Sequence, residues 1–263
     1  MQHHNLGVDE ALRSQIVRLW ALAESQAHYN RQAIIPDSYA QLIICCGAPL
    51  QWLQANGTLC ELPAAFILGV QQQPLYLYAT GACQLVGIQI YAWAVADLLG
   101  QTCLPNQPLA LNEPRWQRFA AQVRNWARFA DLATLLQQVH SALLQHIRLS
   151  ELRLGLHHSG LLLYQEFGNL RMSELAQQQK LSLSQFERQF RQITGVRPKQ
   201  LARLIRFEQV RDRLVQQPQQ SIAALAVDLG YSDQAHLQHE FRYFAGLTPR
   251  QFCQQVNADF LQD

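Results

Sequence analysis

Apolar residues recur along this chain with two different periods, and the change of period divides it. Up to about residue 91 they come in short runs: Ala40–Cys46, Leu50–Leu53, Ala64–Val70, Leu75–Tyr78 and Cys83–Tyr91. Glycine, proline and the pair Asn56-Gly57 separate the runs, and Asn-Gly favours a tight hairpin turn. Leu85-Val-Gly-Ile-Gln-Ile-Tyr91 is rich in β-branched residues and predicts a strand. Short strands this closely spaced predict a small barrel or sandwich. Before them, Val8–Leu22 has apolar points at Leu12, Ile16, Val17, Leu19 and Trp20. It predicts a helix, or a helix running into a strand at Trp20. Ile34-Ile-Pro-Asp-Ser between these regions is a turn signal.

From Ala92 onward the spacing changes to threes and fours. Ala92–Leu99 predicts a helix that Gly100 closes. Gln101–Glu113 is a polar loop, and Pro114 suits the first position of a long helix. Trp116, Phe119, Val123, Trp126, Ala130, Leu132, Leu136, Val139, Leu143 and Ile147 give that helix one apolar face. The face could pack on the chain's own strands or on a partner helix. Leu152–Ser159 reads as a linker. Leu161–Phe167 then predicts a helix ended by Gly168-Asn169.

The last hundred residues contain a repeat. Leu175-Ala176 matches Leu225-Ala226, and Ser182 matches Ser232 at the same offset. Phe190 to Phe241 and Pro198 to Pro249 are offset by one residue more, so the second copy has one extra residue after its serine. Each copy predicts helix, turn, helix: Met172–Gln179 and Ser182 to about Ile193, then Ile222–Leu229 and Ser232 to about Ala245. A serine can cap each second helix. Leu183, Phe186, Phe190 and Ile193 are its expected inward residues in the first copy, and Leu237, Phe241 and Phe244 in the second. Gly230 is the turn glycine of the second copy. Arg171 occupies the cap position that Ser221 fills there, so the first short helix begins less securely. Lys199–Val215 predicts a connecting helix of roughly 25 Å, at about 1.5 Å per residue.

Two tandem helix-turn-helix units, the second written Gly-Tyr-Ser-Asp-Gln-Ala-His-Leu-Gln-His-Glu-Phe-Arg-Tyr-Phe-Ala-Gly-Leu-Thr-Pro, resemble the DNA-binding domain of the AraC/XylS family of transcriptional regulators over roughly residues 160–253. The resemblance implies an α+β two-domain protein. A small cupin-like β-barrel with helices (1–150) would sense an effector and help to dimerise. A linker (151–159) and an all-α DNA-binding domain (160–263) would follow, with units at 171–193 and 221–244 joined by the helix 199–215. Ile35-Pro-Asp-Ser-Tyr-Ala-Gln-Leu-Ile-Ile, Phe66-Ile-Leu-Gly-Val and Leu85-Val-Gly-Ile-Gln-Ile are similar to the N-terminal domains of one uncharacterised subset of the family. Ser184, Glu187 and Arg188 match its base-contacting positions. The implied partners are double-stranded DNA, a small-molecule effector, a second copy of the chain and RNA polymerase.

Charge changes this picture where it is placed rather than in its total. The chain has 263 residues and a net charge of +2. Residues 1–150 hold eight Lys+Arg and eight Asp+Glu, which cancel; residues 171–252 hold twelve against seven, an excess of +5. A basic excess on the repeat suits phosphate. On the outward faces, Ser184, Gln185, Glu187, Arg188, Gln234, Ala235, Gln238 and His239 are candidates for base contact. Arginine pairs with guanine, glutamate accepts from cytosine, glutamine suits adenine, and an alanine methyl can touch thymine. Arg191, Arg197, Arg203, Arg206, Ser232, Arg242 and Arg250 are candidates for the backbone. Arg206 has a structural alternative, a tie to a carboxylate such as Glu208 or Asp228.

The aromatic stock of the first half is Trp20, Tyr29, Trp52, Tyr76, Tyr78, Tyr91 and Trp93. Trp20, Tyr29, Trp52, Tyr78 and Tyr91 are the candidates to line an effector pocket, against the plainer reading that they fill the core. His28 is the only histidine between Asn5 and Leu135, and His3-His4 sit at an end expected to be flexible. About three protein ligands are needed for a metal centre, so no metal or other cofactor is expected. No nucleophile elbow or phosphate-binding loop appears, which favours binding over catalysis. Six cysteines without metal spacing suit small buried hydrophobes in a reducing compartment. No apolar run spans a membrane, and no secretory signal opens the chain, so a cytoplasmic location is expected. Three readings follow: an effector-controlled DNA-binding regulator, a regulator whose first half only dimerises, and an enzyme domain fused to a DNA-binding one.

Overall fold

The computed structural model describes residues 2–24, 31–147 and 154–260. The strands are β1 (Gln2–Gly7), β2 (Ile16–Glu24), β3 (Arg31–Ile34), β4 (Ala40–Cys45), β5 (Leu50–Leu53), β6 (Leu59–Glu61), β7 (Ala65–Leu68), β8 (Leu75–Ala79), β9 (Cys83–Ile90) and β10 (Pro108–Ala110). They form two sheets, β1-β2-β9-β4-β7-β10 and β3-β8-β5-β6, with antiparallel pairing between neighbours. Among the described residues no strand pairing joins one sheet to the other.

The larger sheet is apolar on both faces, which is why its strands read as continuous runs rather than alternating ones. Ile43, Cys45, Phe66, Leu68 and Leu85 point to the smaller sheet and pack with Leu50, Leu75 and Leu77. Leu19, Ala21, Leu42, Ile44, Val86 and Ile88 point the other way, toward helices. Asn56-Gly57 lies in the β5–β6 hairpin, with Gly57 at φ +84°.

Three expectations for this half need correction. Val8–Leu22 is not a helix: a short turn at its start leads into β2, whose β-branched Ile16-Val17 opens a strand paired with β9 as far as Glu24. His3-His4 lie in β1, paired with Leu22 and Ala21. After a 3-10 turn at Ala92–Ala94 and α1 (Val95–Leu99), Gly100 adopts φ +67° as the helix end requires. The apolar run that follows is two helices, α2 (Pro114–Trp126) and α3 (Leu132–His146). Asp131 breaks it by accepting the Thr134 N–H at 2.8 Å, the cap of a new helix. The break lets α2 cross β4 while α3 covers β1 and β2. The shared apolar face is therefore used within the chain: Trp116, Phe119, Val123, Leu135, Leu136, Val139 and Leu143 are all buried on the sheet.

The C-terminal helices are α4 (Leu154–Gln165), α5 (Met172–Gln178), α6 (Leu183–Thr194), α7 (Pro198–Gln216), α8 (Ile222–Asp228), α9 (Gln234–Ala245) and α10 (Pro249–Phe260). α4 starts inside the stretch read as a linker, whose first residues lie outside the described ones. Gly160 is a packing glycine: a Cβ there would sit 2.3 Å from the Trp93 ring. His157 is buried beside Asp97 at 3.5 Å; burial lowers its pKa against the pull of that carboxylate.

The two halves share a polar seam. Ser38, in the β3–β4 turn, donates from its backbone N–H and its Oγ to Glu208 on α7, each at 2.6 Å. Tyr164 Oη donates to the Ser38 carbonyl at 2.9 Å, and Arg211 donates to the Pro36 carbonyl at 3.2 Å. Tyr39 stacks on Tyr164 at 4.9 Å, and Tyr91 stacks on Trp93 at 4.5 Å.

Candidate nucleic-acid interface

Both helix-turn-helix units are present, and they differ where the repeat offset changes. In the first, Lys180 takes the left-handed turn position at φ +55°; in the second, Gly230 takes it at φ +74°. Ser182 caps α6 and forms a reciprocal box with Gln185. The second copy does not use its serine in this way. Asp233 caps α9 by accepting the His236 N–H at 2.8 Å, while Ser232 Oγ lies 3.1 Å from His236 Nδ1. The extra residue therefore precedes the cap. From Ser182/Asp233 onward the two copies run in a single register, which matches Phe190 with Phe241 and Pro198 with Pro249. Arg171 starts α5 without a side-chain cap, whereas Ser221 caps α8.

Both second helices lie on α7. Phe186 and Phe190 from α6, Leu237, Phe241 and Phe244 from α9, and Leu201, Leu204, Phe207 and Val210 from α7 form one core. Leu183 departs from expectation: it is 44% exposed. It stands at the first helical position, and Leu181 from the preceding turn packs on the core instead.

The candidate base-contact residues occupy the opposite faces. Ser184, Gln185, Arg188 and Arg191 are exposed on α6, and Glu187 is half-buried. Gln234, Ala235 and His239 are exposed on α9, and Gln238 is half-buried. Gln185 already gives its Oε1 to Ser182, at 3.0 Å from the backbone N–H and 2.8 Å from Oγ. Arg197, Arg242 and Arg250 are exposed around these helices.

Arg203 and Arg206 are placed differently. Arg203 Nε meets Glu240 Oε1 at 2.6 Å, and its guanidinium lies over the Tyr243 ring at 5.1 Å. Arg206 reaches the other oxygen of Glu240 at 4.0 Å and donates to the Gly168 carbonyl at 3.3 Å. The carboxylate that Arg206 faces is thus on α9, and neither Glu208 nor Asp228 supplies it. Glu240 is 3% exposed and ties the second reader to the connecting helix. Sequence reasoning passed over it because one glutamate between Leu237 and Phe241 looks like the edge of an amphipathic helix.

The effector candidates do not converge. Trp20 lines a cavity of about 260 Å³ between the two sheets. Trp52 packs on the surrounding inter-sheet core, Tyr78 is half-buried on β8, and Tyr91 belongs to the seam near α4. Tyr29 lies outside the described residues. Among the described residues no cluster of three His, Cys, Asp or Glu could hold a metal ion, and no helix is long and apolar enough to cross a membrane. The six cysteines are free; burial raises the Cys103 thiol to about 12.

Residues 175–255 match the family described as helix-turn-helix domain, and residues 8–104 match a domain of unknown function. The first match covers both readers and the helix between them. Residues 175–255 are an AraC-type helix-turn-helix domain. No curated protein matches the chain. An apo lysine-to-alanine variant of ToxT from Vibrio cholerae shares its fold at a TM-score of 0.50 and 11% identity, over 90% of this chain and 97% of that one. ToxT from Vibrio cholerae with (E)-4-(8-methylnaphthalen-1-yl)but-3-enoic acid bound gives 0.49 and 12%, over 97% and 100%. An AraC-type regulator from Chromobacterium violaceum is 26% identical over 39% of this chain and 91% of that one, with a TM-score of 0.35.

Proposed function

We propose that this protein is an AraC-family regulator that reads a bipartite DNA site with α6 and α9 and is controlled by a small molecule bound between its N-terminal sheets. The observation that carries the reading is the pair of polar helix faces mounted on α7. Each reader buries its aromatic residues on that helix and leaves most of the residues suited to base edges exposed, with Glu187 and Gln238 half-buried among them. Successive major grooves on one side of DNA recur about every 34 Å. The homodimer and the contact with RNA polymerase belong to the same reading. Because α2 and α3 spend their apolar face on their own sheet, a second copy would meet other surfaces.

Selection of bound sequences from a random DNA pool tests this directly. Two conserved elements about one helical turn apart are expected; a pool without enrichment would overturn the reading. Arg188 has no ion-pair partner among the described residues. Arg188→Ala should cost about 1–3 kcal/mol on the selected site and relax one base position. An unchanged preference in a repeated selection would remove Arg188 from base readout.

A further inference from the structure

The neutrality of the N-terminal half conceals a polarised distribution of charge. Residues 1–113 hold three arginines against seven carboxylates, a net charge of −4. Residues 114–150 hold five arginines against Asp131 alone, a net charge of +4. Four of those five, Arg115, Arg118, Arg124 and Arg128, lie in α2 and the turn after it, where no acid occurs before Asp131.

Packing on the sheet fixes which way these side chains point. Trp116, Phe119, Ala120, Val123 and Ala127 are buried in the core beneath α2, so the opposite side of the helix meets solvent. Arg118, Gln122, Asn125 and Phe129 recur on that side at threes and fours, and Gln117, Arg124 and Arg128 run beside them; all seven are exposed. Arg115 is half-buried and pairs with Glu113 at 3.2 Å. Arg118, Arg124 and Arg128 make no ion pair among the described residues. The polar side chains between them are amides. From Arg118 to Arg128 the face runs about 15 Å, at about 1.5 Å per residue.

Three unneutralised guanidiniums in a row complement a polyanion. Duplex DNA presents one charge per about 1.7 Å of its axis, and arginine, glutamine and asparagine side chains all donate to phosphate. A protein partner would require an apolar centre. No large apolar side chain of α2 itself is exposed, and Phe129 stands beyond its end. A second copy laid on this face by a two-fold axis would set arginine against arginine. The acidic remainder of the N-terminal half would be repelled by DNA, so α2 is the side of that half that charge turns toward it.

We propose that the outer face of α2 is a second, sequence-independent DNA contact, which holds duplex flanking the bipartite site through Arg118, Arg124 and Arg128. This rests on the regulator reading above and gives it a DNA surface in the half that carries no reader.

Two duplexes test the proposal: one trimmed to the selected site, and one that extends it by about three helical turns, or about 30 base pairs, on each side. The protein carrying Arg118→Gln, Arg124→Gln and Arg128→Gln together should melt with the unsubstituted protein, since all three positions are exposed and unpaired. On the long duplex its plot of log affinity against log salt should be shallower by about 2 to 3, because each lost phosphate contact removes about 0.9 from the slope. On the trimmed duplex the two proteins should bind alike. Exchanging the flanks for unrelated sequence should leave the difference in place, as phosphate contacts carry no sequence information. Equal slopes on the long duplex, or the same loss on the trimmed one, would overturn the proposal. Capture of poly-glutamate through these arginines, with DNA slopes unchanged, would assign the face to an acidic protein instead. Specific binding of the unsubstituted protein to the trimmed duplex tests the regulator reading by itself, so the two failures are told apart.

Discussion

Glu240→Ala is expected to lower the stability of the C-terminal helices by about 3 kcal/mol, since removing one partner of a buried ion pair strands the others. Glu240 is 3% exposed, and the arginines it holds are mostly shielded. Arg203 would keep only its ring contacts with Tyr243 and Phe244, and Arg206 its bond to the Gly168 carbonyl and its place over Tyr231. Without the carboxylate, α9 loses its polar tie to α7 and keeps the aromatic packing of Phe207 on Phe241 and Phe244. The variant should therefore retain helix content by circular dichroism, melt earlier, and lose DNA affinity chiefly at the half of the site read by α9. An unchanged melting temperature would show that the tie contributes nothing. The same geometry bears on Arg203. A phosphate would have to displace a carboxylate at 2.6 Å. Arg203→Ala should thus lower the melting temperature without reducing the salt slope of DNA binding, whereas loss of a phosphate contact reduces that slope by about one.

Glu208→Ala should release α7 from the N-terminal half, at a cost of about 2–3 kcal/mol, because it leaves a buried Ser38 N–H and hydroxyl without their acceptor. Burial, and then the charge of Asp37, hold the Glu208 carboxyl well above its ordinary range, with Arg211 opposing them. The folded state therefore holds this proton more tightly than the unfolded state does. The stability that this proton contributes is complete below the ordinary carboxylate range, and it is lost as pH rises through the folded-state value. Melting temperatures taken from about pH 5 to about pH 8 should fall more steeply in the unsubstituted protein than in Glu208→Gln, which cannot ionise. Parallel curves would show that Glu208 does not titrate in this range. Glu208→Gln should also keep the halves docked, since its amide can still meet both groups of Ser38.

The helical half was the more legible because its information is local. Capping residues, the left-handed turn positions and apolar residues at threes and fours are written within each helix, and the repeat states them twice. The one-residue shift between copies was visible too, though only the tertiary structure shows that Asp233 displaces Ser232 from the cap. The strands of the first half were legible as runs, but their pairing was not. Val8–Leu22 reads as a helix, or as a helix that becomes a strand only at Trp20, because nothing in it announces the partner β9, which lies more than sixty residues away. The break at Asp131 was hidden for a related reason. An apolar face continues on both sides of it, and only the two surfaces it covers require a change of direction.

What the amino-acid sequence determined by itself was the tandem reader, its connecting helix and the face each reader turns to solvent, since helical periodicity fixes sidedness without reference to anything distant. What the tertiary structure alone decided was which polar groups meet. Glu240 with Arg203, Glu208 with Ser38, and Trp20 lying on Gly87 each join residues separated by tens of positions or more. Burial gives such pairs their energy, and no local pattern records which buried groups will face each other.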